Sequence, residues 1–310
     1  MLHDQASAVS GQIGCGRDSL IAAITMFLSR TQRFDLDGVR GTLEREVEAA
    51  GDEALATLVV RLSNTRFGWG YHPADPLARR LHYVVAERVL SEDPALSGLD
   101  HLARMRQEPI VIFANHLSYS DANLVEVAFR RAGFGDISDR LAVVAGPKVY
   151  ANVRRRFSSL CFGTIKVPQS TTVSSEEAIM SARDVAVAAR VSIDAARDRL
   201  QHRDALLIFP EGRRSRSGGM QPLLQGATRY LDGFEGWILP LGITGTENLF
   251  PIDETALAPV PIALHIGAPL NARDLWEQRG GSRRALIDRI GAAIAALLPQ
   301  AYQGEYRAIS

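Results

Sequence analysis

Seven consecutive residues, Asn115-His116-Leu117-Ser118-Tyr119-Ser120-Asp121, set an imidazole and a carboxylate five positions apart. A β-rich run from Pro109 to Ala114 precedes them, and a helical pattern from Asp121 to Arg131 follows. The histidine therefore stands at a strand's exit and the aspartate at the start of the next helix, where the two can meet across one turn. With Asp121 accepting a hydrogen bond from one imidazole nitrogen, the other is left to take a proton from a hydroxyl, which is general-base chemistry. The plainer alternative makes Asp121 a helix cap and His116 a polar loop residue.

A second polar stretch shifts that balance. Leu206 to Phe209 form another strand-like run, and Pro210-Glu211-Gly212-Arg213-Arg214-Ser215-Arg216 follows it with a carboxylate and three arginines. The planar donor fork of arginine suits phosphate oxygens. Arginine clusters are commonly solvated faces, but this one follows a buried-looking strand and a Pro-Glu-Gly turn, which favours a binding role. Two weaker stretches are Ala145-Gly146-Pro147-Lys148-Val149-Tyr150 and Leu239-Pro240-Leu241-Gly242. From Lys148 to Lys166 the chain carries five basic residues (Lys148, Arg154, Arg155, Arg156 and Lys166) and no acidic one, so a positive surface is expected beside the site.

Taken together, Asn115-His116, Asp121 and the Phe209-Pro210-Glu211-Gly212-Arg213-Arg214-Ser215-Arg216 block resemble the glycerolipid acyltransferase family, which includes glycerol-3-phosphate and 1-acylglycerol-3-phosphate acyltransferases. The Gly146-Pro147-Lys148 and Pro240 stretches look like that family's second and fourth blocks, so the likeness runs from about Pro109 to Ile243. The resemblance implies His116 as base, Asp121 as its orienting partner, and Glu211, Gly212, Arg213, Arg214, Arg216 and Lys148 around the phosphate of the acceptor. Asn115, Pro210 and Pro240 would support those motifs. It implies a fatty acyl group passing from acyl-CoA or acyl-acyl carrier protein to a hydroxyl of glycerol 3-phosphate or 1-acylglycerol 3-phosphate. A long interval between His116 and Glu211 and a preceding helical region are similar to the soluble, plastid-type glycerol-3-phosphate acyltransferases. Two departures are visible: Arg213 stands where bacterial members usually have threonine, and no paired lysines occur near Val167 to Thr171.

These residues need a frame. Runs at Leu141–Ala145, Thr164–Val167, Ala205–Phe209, Ile238–Ile243 and Ile262–Ile266 alternate with helical stretches, notably Glu176–Gln201 and Arg283–Leu298. Strands separated by helices predict an α/β fold with a largely parallel or mixed sheet, in which ligands sit at the carboxyl ends of strands. Before it, helically spaced apolar positions from Leu20 to Val89 predict a small helical domain. The expected organisation is a flexible start over 1–17, a helical domain over 18–107 and an acyltransferase domain over 108–310.

Composition narrows the alternatives. Thirty-five basic residues balance thirty-five acidic ones, which argues against a general nucleic-acid binder and makes any anion site local. The cysteines are Cys15 and Cys161, too few for a disulfide framework or a Cys-rich zinc site, so a reducing cytoplasm fits best. No metal-ligand pattern is present, and no metal or cofactor is expected beyond the acyl thioester itself as co-substrate. The apolar segment Leu20–Leu28 is too short to span a bilayer, so contact with lipid would be peripheral, at the inner face of the membrane. The remaining histidines, His3, His72, His82, His101, His202 and His265, read as structural. Two competing readings keep the fold: an acyl thioester hydrolase, which leaves the arginines without a task, and a non-catalytic module binding lipid or acyl carrier protein, which leaves His116, Asp121 and Glu211 without one.

Overall fold

The computed structural model of the chain describes residues 16–28, 36–90, 93–168, 180–249, 261–278, 280 and 282–307. Most of the stretch expected to be flexible, together with Cys15 and His3, lies outside the described residues. In chain order the elements are α1 (Arg17–Leu28), α2 (Leu36–Ala50), α3 (Asp52–Ser63), β1 (Gly70–His72), α4 (Pro76–Val89), β2 (Ala95–Ser97), α5 (Leu99–Arg104), β3 (Ile110–Ala114), α6 (Asp121–Arg131) and α7 (Gly135–Asp139). Then come β4 (Leu141–Ala145), α8 (Val153–Leu160), β5 (Gly163–Lys166), α9 (Ala182–Gln201), β6 (Ala205–Ile208), β7 (Trp237–Thr244), α10 (Thr246–Leu249), β8 (Ala263–Ile266), β9 (Leu270–Asn271), α11 (Ala272–Gln278) and α12 (Arg283–Ala295).

Among the described residues nine strands form one sheet in the order β1-β5-β4-β6-β3-β7-β8-β2, with β9 also on β7. The central five, β5, β4, β6, β3 and β7, are mutually parallel, while β1 runs antiparallel to β5 and β8 and β9 antiparallel to β7. The sheet is thus mixed with a parallel centre, as the alternation of runs predicts. Strands β3 and β6 are buried at every position, as strands covered by helices on both faces must be. Ile110, Ile112 and Ala114 of β3 face one core with α1 to α4 and α6; Val111 and Phe113 face another with α9, α11 and α12.

The helices begin where their sequences provide caps. Pro76 opens α4 with its missing N–H at a position that needs no partner, and Asp75 before it accepts from the N–H groups of Leu77 and Ala78. Asn152 caps α8, Ser181 caps α9 and Ser282 caps α12 in the same way. The expected helix Glu176–Gln201 is described from Ala182; its first residues lie outside the described ones. Two short strands, β1 and β2, fall in the stretch expected to be a small helical domain and pair into the edges of the sheet. At three residues each, they are too short for a period-2 pattern to be read from sequence.

Candidate active site

The chain leaves β3 through Asn115, whose side chain is fully buried and acts as one more rung of the sheet. Its amide nitrogen donates to the carbonyl of Ile243 at 2.9 Å, and its amide oxygen accepts the N–H of Ile243 at 2.7 Å. That two-way bond ties the end of β3 to β7 while the backbone turns away, so His116 is delivered to the carboxyl edge of the sheet. Pro240 lies in the middle of β7, where a proline normally breaks a ladder. Its carbonyl accepts from the N–H of Gly267 at 2.9 Å, so the N–H it lacks would point to the same side, between the ends of β8 and β9.

His116 and Asp121 meet as the spacing predicts: the imidazole Nδ1 lies 2.8 Å from the Asp121 Oδ2. Asp121 is the first residue of α6, yet it does not cap that helix. Its Oδ2 also accepts the N–H groups of Leu117 at 2.7 Å and Ser118 at 2.9 Å, reaching back into the loop. Its Oδ1 accepts from the hydroxyl of Thr246 at 2.6 Å. The Asp121 side chain has no exposed surface, whereas that of His116 is 17% exposed. An ionised carboxylate only accepts hydrogen bonds, so Nδ1 carries the proton and Nε2 keeps its lone pair. Among the described residues Nε2 has no hydrogen-bond partner. The ring stacks on Phe209 at a centroid distance of 4.3 Å and 22°.

The loop after β6 is braced against the same histidine. Glu211 accepts the N–H of His116 on one oxygen and the N–H of Gln221 on the other, each at 2.8 Å. Burial pushes its carboxyl up to about 7, against the pull of those two backbone donors, which favour the ionised form. Ser215 donates its N–H to the carbonyl of His116 at 2.7 Å and its hydroxyl to Gly219 at 2.7 Å. Pro210 is buried behind this turn. Gly212 is at φ 67°, and a side chain there would meet the tip of the Leu224 side chain at 2.5 Å, so the turn favours glycine.

Arg214 is half-buried and its guanidinium lies over the ring of Tyr119, 3.7 Å from the centroid. Arg213 and Arg216 are exposed on the same loop and make no ion pair among the described residues. Lys148 is half-buried in the turn after β4, and its carbonyl accepts from Arg155 at 3.2 Å. The positive surface expected between Lys148 and Lys166 needs correction. Arg156 is buried and donates to the carbonyls of Leu62 and Tyr150, and Lys166 is buried, donating to the carbonyl of Phe67 at 3.0 Å and lying over the ring of Trp69. Both spend their donors on packing the α3–β1 segment against the sheet. Arg154 and Arg155 remain at the surface of that run.

Thr246 and the stacking of Phe209 on His116 are the contributions that residue types and spacing did not reveal. Thr246 meets Asp121 from 125 residues away. Its only sequence signal is the small polar turn Thr244-Gly245-Thr246 at the carboxyl end of β7, where ligand-proximal residues of such sheets collect. Among the described residues no three His, Cys, Asp or Glu side chains gather as a metal would require, and no helix is long and apolar enough to cross a membrane.

A base held by a buried carboxylate, with unpaired arginines beside it at the carboxyl edge of a parallel sheet, suits transfer to a hydroxyl on an anionic molecule. Residues 93–244 match the family model described as Acyltransferase, which supports an enzyme of acyl transfer. No curated protein matches the chain. Among solved structures, the chain is similar to the 1-acyl-sn-glycerophosphate (LPA) acyltransferase PlsC from Thermotoga maritima, at 17% identity and a TM-score of 0.47 over 91% of this chain and 97% of that one.

Proposed function

We propose that this acyltransferase moves a fatty acyl group from acyl-CoA or acyl-acyl carrier protein to a hydroxyl of a glycerol-phosphate-type acceptor, glycerol 3-phosphate or 1-acylglycerol 3-phosphate. The observation that carries the reading is the free Nε2 of His116, fixed in its basic tautomer by an Asp121 whose every oxygen is satisfied. In this mechanism the acceptor hydroxyl gives its proton to Nε2 as its oxygen attacks the thioester carbonyl carbon. The carbon–sulfur bond then breaks, and the departing thiolate takes the proton back from the imidazolium, so no acyl-enzyme forms and no metal takes part. Asp121 balances the imidazolium charge, Glu211 keeps the two loops together, and Arg214 and Arg216 receive the phosphate. A 1-acylglycerol 3-phosphate acceptor would be met at a membrane surface, peripherally.

The test is steady-state turnover of an acyl thioester with glycerol 3-phosphate and with 1-acylglycerol 3-phosphate, each beside its dephosphorylated form. His116→Ala should lower turnover by roughly 10²- to 10⁴-fold, the usual contribution of a positioned base, without unfolding the chain. EDTA should leave activity unchanged. Thioester loss that is independent of any acceptor would instead make the protein a hydrolase, and a preference for the dephosphorylated acceptor would turn the arginines toward the donor's carrier.

A further inference from the structure

Many arginines among the described residues have carboxylate partners: Arg79 and Arg130 share Asp139, Arg131 meets Asp93, Arg199 meets Asp198 and Arg283 meets Asp232. Arg155 and Arg214 do not. Each instead places its guanidinium over the ring of Tyr119, at 4.1 Å and 3.7 Å from the centroid, so the two charges lie no more than about 8 Å apart, and neither makes an ion pair among the described residues. An aromatic face holds a guanidinium through the ring quadrupole and leaves N–H donors of its edge available, whereas a carboxylate would occupy the fork; of those donors Arg155 spends Nη1, on the Lys148 carbonyl. Two like charges held close together by a ring that is itself 37% exposed are arranged for an external anion.

The position of the pair indicates which anion. Tyr119 is three residues beyond His116 in the same loop, and Arg214 is next to Ser215, which hydrogen-bonds the His116 carbonyl. Arg155 enters from the first turn of α8, where Asn152 accepts its N–H at 3.0 Å and its own Nη1 reaches the Lys148 carbonyl at 3.2 Å. Three loops, after β3, β4 and β6, therefore converge beside the base. We propose that Tyr119 and Arg155 complete, with Arg214, a clamp for the phosphate of the acceptor: Arg155 supplies a second guanidinium, and the Tyr119 ring is the post that positions both. One phosphate can reach both forks, since charge-assisted N–H···O bonds form at about 2.7–2.9 Å. The assignment rests on the phosphate-bearing acceptor proposed above. It adds Arg155 as a binding residue and Tyr119 as a positioning residue.

The experiment compares wild type, Arg155→Ala, Arg214→Ala, Tyr119→Leu and Tyr119→Phe, each with glycerol 3-phosphate and with glycerol at saturating acyl-CoA, alongside calorimetric titration of each protein with glycerol 3-phosphate. Arg155→Ala should raise KM and Kd for glycerol 3-phosphate by roughly ten- to a hundredfold, with kcat and the use of glycerol little changed. Tyr119→Leu should raise the same KM by about three- to thirtyfold, and Tyr119→Phe, which keeps the ring, should restore it. If Arg214→Ala abolishes the phosphate preference while Arg155→Ala stays within about twofold of wild type, the clamp is wrong and the acceptor reading stands. The clamp is also wrong if Arg155→Ala harms both acceptors equally, as a structural residue would, or changes only donor KM. If wild type neither binds glycerol 3-phosphate nor prefers it to glycerol, the acceptor reading fails and the clamp with it.

Discussion

A carboxylate with no exposed side-chain surface persists only where its charge is met from several directions, because desolvation otherwise drives it to neutrality. Asp121 is met from four: the His116 Nδ1, two loop N–H groups and the Thr246 hydroxyl. Thr246→Val keeps the shape and removes one of those donors. Hydrogen bonds to charged groups are worth about 1.5 to 3 kcal/mol, so the variant should lose stability in that range and about tenfold in kcat, with both KM values nearly unchanged. Thr246→Ser should recover the loss; equal kcat in all three proteins would remove Thr246 from the mechanism. Glu211 presents the reverse case, since burial holds its carboxyl at about 7, above the ordinary range. A carboxyl raised on folding stabilises the native state fully below its unfolded pKa of about 4.3, and that contribution is lost as pH rises through the folded value. Urea unfolding from pH 4 to pH 8 should therefore show wild type losing ground to Glu211→Gln as pH rises, whatever the constant offset between them. A pH-independent difference would mean that the two backbone donors offset burial and leave this group near its unfolded pKa.

Strand ends are where this sequence is most legible and also where its reading stops. The His116–Asp121 pair and the Glu211–Arg216 loop were readable because each follows a continuous apolar run, and a strand's exit is a fixed place in a parallel sheet. The spacing gave no sign that Asn115 is a rung of the sheet, because its partner Ile243 is 128 residues away and hydrogen-bonds only through its backbone. The same distance in sequence hid Thr246, and it let Arg156 and Lys166 pass as surface cations when their partners are carbonyls of the distant segment 62–67. Backbone partners leave no trace in residue types. The Asn115 rung makes a prediction at this scale. Asn115→Leu is close in size but leaves the N–H and C=O of Ile243 buried and unpaired, at about 1 to 3 kcal/mol for each group. The variant should be destabilised by roughly that sum and should lose turnover through a displaced His116, while KM for the donor moves little. Unchanged stability in urea would show that β3 and β7 stay registered without it.

At the scale of the whole molecule, the question is whether the helices before the sheet are a unit of their own. Composition and periodicity divide the chain near residue 107. The buried side chains connect across that point: Leu20, Leu43, Leu58 and Leu81 belong to the same apolar core as Ile112, Phe129, Leu207 and Ile243. The segment before residue 107 also gives β1 to one edge of the sheet and β2 to the other. A domain with its own core should melt by itself; helices that complete the cover of a sheet should not. Leu81 in α4 and Leu207 in β6 are both fully buried, so each change to alanine should cost about 2 to 5 kcal/mol. If the core is continuous, both variants lower one shared transition, seen together by calorimetry, by far-UV circular dichroism and by tryptophan fluorescence, to which Trp237 in β7 contributes. If the helices fold independently, Leu81→Ala will split the transition, with the fluorescence of the sheet persisting above the loss of part of the helical signal. Two separated transitions in the wild-type protein would decide for the division at 107, and the catalytic loops would then owe nothing to the helices that precede them.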